Sequence, residues 1–228
     1  MRIFALILLL CPPVVLQAEV EDDLTLGIET VTGIRSHYLY RGFDVADATM
    51  DFQIETEIGL GRDFFLGLAG WHAAESSGDF SESAFSIDLH RDWEDIRLTA
   101  SAAYHAFSGS FLENGMDTGL AATWYWDDSW DIGLELHYDF GAEAFYSDLI
   151  IGWSQPLGED LFLSAQAGVS AAADYYEQSG PKDLHGRLSL TYNINSFLSV
   201  TPFTGFSLGL DSEAGDHAYA GLWLAVSF

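Results

Sequence analysis

The last twelve residues, "HAYAGLWLAVSF", constrain this chain more than any others, because apolar character there falls on every second position. Ala218, Ala220, Leu222, Leu224, Val226 and Phe228 share one parity, and His217, Tyr219, Gly221, Trp223, Ala225 and Ser227 share the other. A period of two marks a β-strand whose faces meet different surroundings. A strand with one face this apolar is an aggregation site in water unless something covers it, and a bilayer is one such cover.

The alternation recurs throughout. In 130–140, Trp130, Ile132, Leu134, Leu136, Tyr138 and Phe140 oppose Asp131, Gly133, Glu135, His137 and Asp139. In 184–194, Leu188, Leu190, Tyr192 and Ile194 oppose His185, Arg187, Ser189, Thr191 and Asn193. Twelve strands are expected, at 25–40, 50–60, 64–74, 83–91, 96–107, 116–126, 130–140, 145–154, 161–173, 184–193, 197–208 and 217–228. Within 64–74, Leu66 and Leu68 share parity with His72, which predicts a bulge or a shifted register.

Short turns flanked by aromatics, such as "GRDFF", "HRDWED", "WDDSW", "LGEDLF" and "NINSF", alternate with longer acidic connections. The latter include "RGFDVADATMD", "ESSGDFSES", "SGSFLENGMD", "FGAEAF", "DYYEQSGPKD" and "LDSEAGDH". This rhythm predicts an up-and-down meander whose two ends face different compartments, and an even strand number returns both termini to the short-turn end.

Parity alone does not separate a barrel that is apolar outside from a soluble sandwich that is apolar inside. Three features favour the barrel. The chain opens with "MRIFALILLLCPPVVLQA", an early Arg2, an apolar core and a small Ala18, which reads as a cleaved secretory leader over residues 1–18. The aromatic C-terminal strand resembles the signal read by the barrel-insertion machinery of the outer membrane, with Phe228 as its last residue. Aromatics also collect in two belts: Trp93, Trp124, Trp126, Trp130, Trp153, Phe197 and Phe228 near the short turns, and Tyr38, Tyr40, Tyr104, Phe140, Phe145 and Phe206 near the long loops. A bilayer tolerates only closed sheets, so the expectation is an all-β, antiparallel transmembrane barrel over 19–228, in contact with outer-membrane lipid.

The single cysteine, Cys11, lies in the leader, so nothing after it can form a disulfide or thiol site. With 35 acidic against 8 basic residues the formal charge is −27, which excludes nucleic acid as a partner. If the apolar parity faces lipid, the lumen is lined by Glu29, Arg35, His37, Arg41, Glu55, Glu57, Arg97, Glu135, His137, Asp139 and Arg187, among others. Acids exceed bases in that wall, which favours cations. Eight strands enclose little more than side chains and sixteen leave an aqueous channel, so twelve predict a narrow passage for small solutes or cations. The alternative is a closed structural or adhesion barrel presenting acidic loops.

No catalytic, metal or cofactor site is expected. "GFSLG" at 205–209 matches the G-x-S-x-G pattern only formally, because it lies within a predicted strand with no turn to expose Ser207. The six inward-parity histidines read as hydrogen-bonded spacers on a polar wall. Arg41, closing the first strand before Gly42, suits either a cation at the pore mouth or a loop anchor bridged to Asp44 or Asp47.

The opening "RSHYLYRGFDVADATMDFQIETEIGL", followed by "FFLGLAGW", resembles the start of the proteobacterial TorF-type porin family. The resemblance rests on a Ser-x-Tyr-x-x-Arg-Gly segment, here Ser36, Tyr38, Arg41 and Gly42, and covers about the first quarter of the chain after the leader. The proline that the family commonly carries after this loop is absent. The resemblance implies an outer-membrane barrel connected with transport and supplies no catalytic residue.

Overall fold

The computed structural model describes residues 27–210 and 215–228; the leader at 1–18 lies outside them. Twelve long strands form the wall. They are β1 (Gly27–Arg35), β4 (Thr49–Gly61), β5 (Phe64–Glu75), β6 (Ser81–Trp93), β7 (Ile96–Ser108), β8 (Gly115–Tyr125), β9 (Trp130–Asp139), β10 (Ala144–Pro156), β11 (Leu161–Tyr175), β12 (Gln178–Asn195), β13 (Leu198–Gly209) and β14 (His217–Ser227). Between β1 and β4 lie two short strands, β2 (Tyr38–Tyr40) and β3 (Phe43–Ala46), which pair only with each other.

Every wall strand pairs antiparallel with its neighbour, and β1 pairs with both β4 and β14, closing the barrel and leaving the wall no edge. Outside, Ile54, Phe85, Leu98, Leu120, Leu136, Leu149, Leu188 and Leu222 are exposed as an apolar belt. A surface this apolar is stable against acyl chains and not against water. No helix among the described residues is long and apolar enough to cross a membrane; the crossing elements are strands.

Four local expectations are corrected. The first strand stops at Arg35 rather than 40, and residues 38–46 turn inward as the β2–β3 hairpin. Tyr38 and Tyr40 therefore belong to the lumen and not to an outer aromatic belt, whereas Tyr104, Phe140, Phe145 and Phe206 do face outward. Strand β5 carries no bulge between Phe64 and Glu75: it pairs regularly with β6, and His72 simply points outward near the long-loop end, with Nδ1 2.9 Å from Ser83 Oγ. The segment "DYYEQSGPKD" is not an open loop, since β11 and β12 run on to a two-residue connection at Tyr176 and Glu177, both at positive φ (48° and 67°).

Candidate functional site: a lumen in two halves

At the long-loop end the β2–β3 hairpin lies across the barrel interior. Its connection is Arg41-Gly42, at φ 48° and 80°, as a two-residue hairpin requires. A non-glycine residue in that region costs on the order of 1 kcal/mol, and the contacts of Arg41 offset it. Its Nη2 donates to Asp117 on β8, and its Nη1 lies 3.2 Å from Asp139 Oδ2 on β9 and 3.1 Å from the Tyr175 hydroxyl on β11. The guanidinium carbon also sits 5.2–5.5 Å from the ring centres of Tyr40, Tyr146 and Tyr175. Arg41 is thus an anchor, but to strand-borne carboxylates across the barrel, not to Asp44 or Asp47 in its own loop.

Those carboxylates are otherwise saturated. Asp117 Oδ1 lies 2.9 Å from His137 Nδ1, and Asp139 accepts from Tyr175 Oη at 2.9 Å and from the backbone N–H groups of Gly141 and Ala142. Gly119 makes room for His137, because a methyl there would stand 2.8 Å from Nδ1.

Other contacts fix the hairpin around the wall. Tyr38 Oη donates to Glu82 on β6, whose other oxygen is 2.8 Å from His105 Nδ1 on β7. Arg35 Nε donates to Asp51 at 2.7 Å and its guanidinium lies over Tyr38 and Trp71. On the far side the Lys182 ammonium sits 3.5 Å from the centre of the Phe43 ring. A bulge places Lys182 and Asp183 together opposite Ser170, and Asp183 accepts from Ser170 and, at 2.6 Å, from Ser207. The formal G-x-S-x-G serine is therefore a buried wall hydroxyl. Asp44 closes the ring, 3.1 Å from His217 Nδ1 and 3.5 Å from His37 Nδ1. Above, burial raises the phenol of Tyr176 while a hydrogen bond from the Glu113 N–H opposes the shift.

The short-turn half is different. A cavity of about 480 Å³ opens there, lined by Glu29, Glu55, Glu57, Asp88, His90 and Arg97 together with neighbouring wall residues and the terminal Phe228. Arg97 is tied to Asp92 by two hydrogen bonds of 2.7 and 2.9 Å, which leaves the carboxylates facing the cavity in excess. Across the barrel a smaller space of about 160 Å³ is lined by Asp131, Gln166, Arg187 and Ser189. There Arg187 donates to Gln166 at 3.3 Å and lies over Trp223.

The eleven sequence-predicted lumen residues all face inward but are not brought together. Glu29, Glu55, Glu57 and Arg97 belong to the open half, Arg35, His37, Arg41 and Asp139 to the filled mouth, and Arg187 to the opposite wall. Glu135 and His137 lie between the two levels, 3.4 Å apart. Sequence reasoning missed Asp51, Glu82, Asp117, Lys182 and Asp183, all buried. Asp51 shares parity with Glu55 and Glu57, a signal that was present, whereas Glu82 and Asp183 fall one residue outside the expected strands.

No protein-family model matches the chain, and no curated protein matches it in sequence. Solved structures do share its architecture. The KdgM porin aligns at a TM-score of 0.59 and 10% identity over 89% of this chain and 99% of that one. The NanC porin aligns at 0.57 and 10% identity over 88% and 98%. The COG4313 outer membrane channel from Pseudomonas putida F1 gives 0.54 and 10% identity over 89% and 94%. At that identity the likeness is one of fold: the chain folds as a closed twelve-stranded antiparallel barrel similar to small outer-membrane porins.

Proposed function

We propose that this chain is a non-enzymatic outer-membrane channel, exported by its 1–18 leader, that passes small solutes or cations through a narrow lumen. The reading extends to insertion through the strand ending at Phe228 and to kinship with the TorF-type porins, supported by Ser36, Tyr38, Arg41 and Gly42. One observation carries it: the open half of the lumen presents Glu29, Glu55, Glu57 and Asp88 to a solvent-sized cavity, while the cation there, Arg97, is already paired. An acid-lined passage raises local cation concentration and repels anions.

The contrast with KdgM sharpens this reading. That porin has been solved in complex with disordered oligogalacturonate, a chain of carboxylates. The wall described above would repel such a polyanion, so its lining, and not the shared fold, supports a solute of the opposite charge.

The hairpin across the mouth favours a second reading, a closed platform that presents acidic loops. Single-channel recording of the refolded chain in planar bilayers decides between them. Steady conductance with a cation-selective reversal potential is the expected result; silence at all voltages moves the chain to the platform reading.

A further inference from the structure

We infer that the outer wall holds a binding site for one phospholipid whose head group carries both a phosphate and a primary ammonium; this rests on the membrane placement in the reading above and not on conductance. The starting point is where the positive charge lies. Arg35, Arg41, Arg97, Lys182 and Arg187 face the lumen, and Arg62 occupies a short turn. Arg91 shares parity with Phe85, Ile87 and Leu89, all exposed, so it faces outward at the short-turn end of β6. Among the described residues it is the one basic side chain on the lipid-facing wall, and it makes no ion pair there; its guanidinium carbon lies 5.0 Å from the centre of the Phe64 ring.

The strand register places Arg91 at the foot of a groove. Phe64, Arg91, Leu98, Ala122 and Leu134 are successive cross-strand partners on β5 to β9, and Leu89, Ala100, Leu120 and Leu136 form the next row away from the turns. In each row an alanine stands between two leucines. These small side chains leave a trough of about 490 Å³ on the outer face, with Phe64 and Arg91 among its lining. On the other side of Arg91, toward the turns, the next row is Trp93, Ile96, Trp124 and Ile132. Exposed tryptophans mark the head-group level of a bilayer, so Arg91 stands one ladder step, roughly 7 Å, inside it. A guanidinium beside acyl chains is costly unless an anion meets it, and at that depth the anion to hand is a lipid phosphate.

An apolar groove alone does not choose among lipids. A second one on the outer wall, about 350 Å³ between Leu149, Ile151, Val169 and Leu184, has no charged residue in its lining, and any acyl chain fills it. Arg91 is what adds a head group to the first. Beyond it, toward water, the turn joining β6 and β7 is Glu94-Asp95, both exposed and, among the described residues, without an ion pair. A phosphate held by Arg91 sets the outer end of the head group over these two carboxylates. They repel an anionic head group, and a trimethylammonium brings them no N–H. A primary ammonium supplies both the charge and the donors.

Native mass spectrometry of the refolded full chain tests this, with phosphatidylethanolamine, phosphatidylcholine and phosphatidylglycerol of identical acyl chains as probes. The first is expected to be retained at least fivefold more than either of the others at equal concentration. Arg91→Gln should lower that retention at least fivefold, and Ala122→Phe, which fills the trough and keeps every charge, should do the same. The double change Glu94→Gln with Asp95→Asn should bring phosphatidylethanolamine down to the level of phosphatidylcholine. Arg62→Gln, an equal loss of charge on the neighbouring turn and outside the trough, should leave retention unchanged. A heat-dependent shift in gel migration shows that each variant is a folded barrel. Tighter retention of phosphatidylglycerol, or an Arg62→Gln effect equal to that of Arg91→Gln, overturns the site. Lipid retained without head-group preference overturns the site alone, whereas a folded chain that retains no lipid overturns the membrane placement with it.

Discussion

The two halves of the lumen are built from the same residue types and solve opposite problems. At the long-loop end Asp51, Glu82, Asp117, Asp139 and Asp183 are buried, and each is met by an arginine, a histidine, a tyrosine or a serine. At the short-turn end Glu29, Glu55, Glu57 and Asp88 border open space, and the arginine nearby is tied elsewhere. The difference is the β2–β3 hairpin. Where it enters, it displaces water and the wall charges must be compensated by protein; where it does not reach, water screens the acids and they can remain in excess.

This comparison makes the hairpin the gatekeeper of conductance, and its removal the largest expected effect. Replacing residues 38–46 with a short glycine-serine linker empties the mouth while leaving the twelve wall strands paired as before. Single-channel conductance is expected to rise several-fold, with cation selectivity retained because the open-half acids are untouched. Conductance equal to that of the intact chain would show that ions do not pass the hairpin, and would break the division into filled and open halves.

Arg41→Ala should give a smaller effect of the same kind. The guanidinium is the cation that Asp117 and Asp139 share, and removing one member of a buried ion pair costs about 3–5 kcal/mol when nothing else moves. The less costly response is for the hairpin to lift and water to reach the two aspartates. Recordings of Arg41→Ala are expected to show added open-channel noise and a conductance between those of the intact and excised forms. Arg41→Lys retains charge but not the two-armed reach to both strands and should fall closer to the intact chain. Quiet traces at the original conductance from Arg41→Ala would mean that the aromatic contacts of Tyr38, Tyr40 and Phe43 hold the hairpin unaided.

Much of the wall was legible because its physics is periodic. Alternation in 130–140 and 217–228 places every outward residue correctly, and the short aromatic turns mark one rim. The hairpin was not legible, because "HYLYRGFDVA" carries a similar alternation whether it extends β1 or folds back on itself. What separates the two outcomes is where the aspartates of β8 and β9 stand relative to Arg41, a relation across 76 and 98 residues of sequence. The missed acids Glu82 and Asp183 have a related cause. Hydrophobic alternation fades at the membrane surface, but strand pairing continues above it, so strands drawn by hydropathy end too early on the loop side.

The smallest effect separates the halves most cleanly, through one neutralised glutamate in each. Glu57 has a side chain 53% exposed to the cavity, so Glu57→Gln removes a charge from the path without uncovering a buried group. The reversal potential in a salt gradient should move toward zero, most clearly in dilute salt where the screening length exceeds about 10 Å, with no change in resistance to urea. Glu82 is 2% exposed and accepts from both Tyr38 and His105. Glu82→Gln leaves one carbonyl oxygen to serve two partners, and should cost about 1 kcal/mol of stability while leaving the reversal potential where it was. If instead Glu82→Gln alters selectivity and Glu57→Gln does not, the ion path runs beside the hairpin, and the open half is a blind pocket beneath it.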